Sequence, residues 1–98
     1  MNLKDRRGTR RVRLHQKLRV RPSSAKDGEF EDINQTENAS KRGIYFRTWI
    51  LSYFVGMRVS VTLPYDSATD SNSREYFGQV IRVEKLEDGK RGVAVQLL

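Results

Sequence analysis

Over residues 12–21 apolar and basic positions alternate. Val12, Leu14, Leu18 and Val20 are interleaved with Arg13, His15, Lys17, Arg19 and Arg21, and Gln16 is the one break. A period of two is that of a strand with one buried face, here with a basic outer face. Pro22, Ser23 and Ser24 close the run, and Lys26-Asp27-Gly28 supplies turn chemistry before a second run over residues 29–37. That second run is weak, with Phe30 and Ile33 as its large apolar residues. Residues 44–48, entered through Gly43, predict a third strand. Residues 57–64 alternate most cleanly, Met57, Val59, Val61 and Leu63 against Arg58, Ser60 and Thr62, and end at Pro64. Residues 76–83 and 91–97 form a last pair, joined through Asp88-Gly89, a favoured two-residue hairpin turn.

Six short strands with no helical period predict an all-β fold, an antiparallel barrel or a small sandwich. The six-stranded antiparallel barrel is preferred because closure removes the exposed edges that threaten a small all-β chain. Its core is expected to gather Leu14, Leu18, Met57, Val59, Val61, Leu63, Val80 and one of Val93 or Val95. Residues 65–74 read as a polar, mobile loop. Residues 49–55, Trp49-Ile50-Leu51-Ser52-Tyr53-Phe54-Val55, are too apolar for an ordinary loop. The preferred reading is a plug over an open barrel end, and the other is a partner-docking patch.

Ninety-eight residues allow a single domain, and 37% apolar against 32% charged residues makes its core thin. The chain has no cysteine and one histidine, His15, which excludes disulfides, iron–sulfur clusters, thiolate metal sites and an imidazole cluster for zinc. No apolar run approaches the ~20 residues of a membrane span, and the N-terminus is not signal-like. The chain therefore reads as a cytoplasmic module. Its charge is concentrated: residues 1–21 hold nine Lys or Arg and one acid, net +8, whereas the remainder is net −1. Such a source attracts an anion, phosphate first, although a solubilising or nonspecific nucleic-acid-binding arm has the same composition. Residues 1–11 are expected to be a flexible arm that orders on ligand binding, ahead of a barrel domain over 12–98.

Catalysis finds no support. His15 lies on the basic face with no acidic neighbour to orient it, and Glu29, Glu31, Asp32 and Glu37 are too loosely spaced for a metal cage. A binding module with no cofactor is expected, not an enzyme. Two patterns carry positive weight. In Arg6-Arg7-Gly8-Thr9-Arg10-Arg11, arginines recur four apart, and guanidinium forks bind phosphate bidentately or donate to the O6/N7 edge of guanine. In Asn38-Ala39-Ser40-Lys41-Arg42-Gly43, two short polar side chains precede a glycine that permits close backbone approach or positive φ. Taken alone, the second pattern is read preferentially as an Asx-type turn ending in glycine.

In this order, Arg7-xxx-Arg11 and Asn38-x-Ser40-xx-Gly43 resemble the two motifs of the PilZ family, bacterial receptors for cyclic di-GMP. Arg6-xxx-Arg10 fits the spacing as well; Arg7 and Arg11 are preferred because Arg11 then directly precedes the first strand. The resemblance covers residues 6–98 and implies a six-stranded barrel whose basic arm closes over the ligand, without the C-terminal helix many members add. It implies that Arg7 and Arg11 engage phosphate and guanine, with Arg6 and Arg10 as helpers or alternates. Asn38 and Ser40 would bond a guanine or phosphate from the barrel side, and Gly43 would keep the backbone close. Arg74 and Arg82, outside both motifs, are expected to matter little. A downstream protein is the implied further partner, with nucleic acid disfavoured. The alternatives are a small basic barrel stacking nucleic acid on Tyr45, Phe46 and Trp49, and a PilZ-like protein-interaction adaptor that binds no ligand.

Overall fold

The computed structural model describes residues 15–65 and 74–98. Six strands form: β1 (Lys17–Pro22), β2 (Asp32–Ala39), β3 (Gly43–Thr48), β4 (Arg58–Leu63), β5 (Arg74–Lys85) and β6 (Arg91–Leu97). Each pairs antiparallel with two neighbours in the order β1-β2-β3-β6-β5-β4, and β4 returns to β1 to close a barrel. This is the expected all-β, six-stranded antiparallel barrel. The helix among the described residues is a single 3-10 turn, Ala25–Asp27, capped by the Ser24 side chain. The arm, the front of the first predicted strand with Leu14, and residues 66–73 of the polar loop lie outside the described residues.

Period-two alternation turns one side of each strand inward. Leu18 and Val20 of β1, Ile44 and Phe46 of β3, Val59 and Val61 of β4, Val80 of β5, and Val93 and Val95 of β6 share one core with Met57. Leu63 packs at its margin and is only partly buried. Fully burying side chains of this size contributes ~1.5–3 kcal/mol each. Phe46, fully buried, is the largest of them.

β2 departs from expectation. Its buried residues are Asp32 and Thr36, with Ala39 packed at the core's margin, while Ile33 points outward and is 47% exposed. A buried carboxyl is tolerable where its oxygens have donors. Here Asp32 Oδ2 accepts the Thr48 hydroxyl at 2.7 Å and the Tyr53 hydroxyl at 2.8 Å, and Oδ1 accepts Asn34 Nδ2 at 3.2 Å.

The same hydroxyl explains the apolar segment after β3. Tyr53 is drawn into the barrel end, where its ring meets Phe30 and Phe46 edge-on at 5.1 and 5.7 Å. The plug is thus Tyr53, with half-buried Ile50 beside it. Trp49, Leu51, Phe54 and Val55 remain exposed, which corrects the expectation that the whole segment folds inward. A second correction concerns the β5–β6 turn. The Gly89 N–H donates to Leu86 O, the Leu86 N–H donates to Lys90 O, and Gly89 has φ +90°. This is the three-residue loop with a glycine bulge, not the two-residue turn.

A candidate ligand groove on the outer face of the barrel

Two further bulges decide which side chains meet outside the barrel. β2 slips register between Thr36 and Asn38, and β5 slips between Val80 and Arg82, so Glu37 and Ile81 are extra residues. A one-residue slip moves the side chains beyond it to the opposite face. Asn38 and Arg82 therefore turn outward. With Asn38 opposite Tyr45, Tyr45 opposite Ala94, and Ala94 opposite Arg82, they form one outer row across β2, β3, β6 and β5. The next outer row brings Gly43, Gln96 and Gln79 into line.

An open groove of about 490 Å³ lies over these rows. Asn38, Ser40 and Arg42 form one wall, Tyr45 and Ala94 lie within it, and Ile81, Arg82 and Gln96 border it. Among its described lining residues are two arginines and no acid, so its charge suits an anion.

The expected barrel motif occupies the β2–β3 tip. The Ser40 N–H donates to Gly43 O at 2.9 Å, Ser40 Oγ accepts the Arg42 N–H at 3.3 Å, and Arg42 O accepts the Leu97 N–H at 2.7 Å. This is the local turn that the polar residues themselves favour, pinned to the end of β6. Gly43 has no positive φ. A Cβ there would stand 2.8 Å from the Val95 carbonyl oxygen, so close β3–β6 packing alone demands a glycine.

Tyr45 and Phe46 point to opposite faces, as adjacent strand residues must. Phe46 is core, and Tyr45 lies in the groove. A Cβ on Gly92 would overlap the Tyr45 hydroxyl and come within 2.8 Å of Tyr45 Cζ, so the phenol rests where Gly92 has no side chain. Burial first, and then the charge of Glu84, raise the Tyr45 pKa above the ordinary tyrosine value. The Arg82 guanidinium stands 5.9 Å from the Tyr45 ring centroid, and Arg82 Nε pairs with Glu84 Oε2 at 3.3 Å.

The structure thus brings Asn38, Ser40 and Gly43 together at one groove. Arg6, Arg7, Arg10 and Arg11 lie outside the described residues. The chain nevertheless enters the barrel on the groove's side. The Gln16 N–H donates to Thr36 Oγ1 at 3.1 Å and Gln16 O accepts the Thr36 N–H at 2.9 Å, two residues before Asn38. Sequence reasoning placed Arg82 outside the site, and the structure places it on the rim. A trace of this is legible: Val80 and Val83, both core-directed, are three apart rather than two, the spacing an extra residue leaves.

No family model and no curated protein matches the chain. Among solved structures it is similar to the Bacillus subtilis inhibitor of motility (MotI/DgrA), with a TM-score of 0.61 over 94% of this chain and 20% identity. The likeness is one of fold alone. The chain spans 42% of the length of that neighbour. No helix among the described residues is long and apolar enough to cross a membrane.

Proposed function

We propose that the chain is a non-catalytic receptor module for cyclic di-GMP, held between the basic N-terminal segment and the outer groove. The observation that carries this reading is the convergence of Asn38, Ser40, Arg42 and Arg82 on one groove, lined by two arginines with Glu84 paired to one of them, beside the strand through which the chain enters the barrel. A cyclic dinucleotide presents two phosphates and two guanine edges. Arginine forks and short amides match both. The neighbour's name, an inhibitor of motility, supports a regulatory role.

Titration calorimetry with cyclic di-GMP tests the reading. Arg7→Ala and Arg11→Ala should weaken binding more than Ser40→Ala, since charge-assisted bonds contribute ~1.5–3 kcal/mol against about 1 for neutral ones. Arg74→Ala is the control, because Arg74 opens β5 opposite Leu63, away from the groove. An equal loss from Arg74→Ala would mean diffuse electrostatic attraction instead. Failure of the unmodified chain to bind would favour the ligand-free adaptor, for which the exposed Trp49, Leu51, Phe54 and Val55 are the supporting observation.

A further inference from the structure

We infer that Arg82 is a specificity-determining arginine of this groove, donating through its two terminal nitrogens to the O6/N7 edge of a guanine. The inference rests on the cyclic di-GMP reading and adds a residue that neither motif contains. Three observations support it. The β5 bulge at Ile81 turns Arg82 onto the outer row shared with Asn38 and Tyr45. The ion pair to Glu84 is made at Nε, which lies 3.3 Å from Glu84 Oε2. The guanidinium also stands 5.9 Å from the Tyr45 ring centroid, where aromatic contact limits its orientations. An arginine paired at Nε and lying over a ring can turn its forked pair of terminal donors to a planar acceptor pair. Guanine offers two adjacent acceptors on this edge; adenine replaces O6 with an amino donor, which a donor-only fork cannot satisfy.

The test compares cyclic di-GMP with cyclic di-AMP, which carries the same ring, phosphates and charge, on unmodified, Arg82→Ala and Arg82→Lys chains by calorimetry. The Arg82 side chain is 63% exposed, so thermal melting of both variants should match the unmodified chain. The unmodified chain should prefer cyclic di-GMP by about tenfold or more. Arg82→Ala should weaken cyclic di-GMP at least about tenfold and cyclic di-AMP far less, collapsing the preference. Arg82→Lys restores the charge without the fork and should recover part of the affinity for both ligands, but not the preference. If both dinucleotides weaken equally in Arg82→Ala, Arg82 is only a cation and the inference fails. It also fails if neither weakens, or if Arg82→Lys restores the preference. These outcomes leave the receptor reading standing, whereas no binding of cyclic di-GMP by the unmodified chain overturns both.

Discussion

At the scale of single residues, the Asp32–Tyr53 contact ties stability to pH in one direction. Burial first, and then the charge and hydrogen bond of Asp32, push the Tyr53 phenol well above its ordinary value. In the unfolded chain the phenol ionises near the usual ~10. Its stabilising contribution is therefore complete below about pH 10 and is lost as pH rises towards the folded value, by up to about 1.4 kcal/mol per pH unit. Tyr53→Phe removes a donor from a buried carboxyl and should cost about 1–3 kcal/mol at neutral pH. Denaturant melts at neutral and alkaline pH should show the gap between the two proteins closing above about pH 10. A constant gap would mean that the phenol ionises freely in the folded state.

At the scale of elements, alternation was clearest in β1 and β4 because their inward residues, Leu18 and Val20 and then Val59 and Val61, are aliphatic. β2 was weak for a physical reason: its buried residues are Asp32 and Thr36, and Asp32 is stabilised by hydroxyl partners on β3 and the loop after it rather than by hydrophobicity. Asn38, Ser40 and Gly43 were legible as a cluster because they are adjacent in sequence. Tyr45 and Arg82 join them only across strands, through two bulges whose trace is one odd spacing. Gly43 illustrates a residue with a second role that a motif alone conceals. Gly43→Ala should force β3 away from the Val95 carbonyl and lower stability by ~1–3 kcal/mol with no ligand present. In a domain of this size each kcal/mol lowers the Tm by roughly 4–8 °C. An unchanged Tm with reduced cyclic di-GMP binding would instead make its smallness a property of the ligand contact.

At the scale of the whole molecule, charge and fold are separable. The described strands close the barrel from Lys17 onward, whereas the excess positive charge resides largely before it. A chain beginning at Val12 should therefore keep a single cooperative thermal transition and lose most of its cyclic di-GMP affinity, measured by melting and calorimetry respectively. Loss of the transition would show that the basic segment stabilises the barrel itself.

Closure also restricts how any partner can be engaged. Among the described residues every strand has a neighbour on each side, so no strand presents a wholly unpaired edge to a seventh strand. Recruitment by strand addition, which many small β-domains use to capture extended peptides, would require first opening one of the six ladders. Recognition by the intact barrel must therefore be written in side chains. A partner's selectivity will lie in the identities of a few surface residues, and backbone complementarity cannot substitute for them.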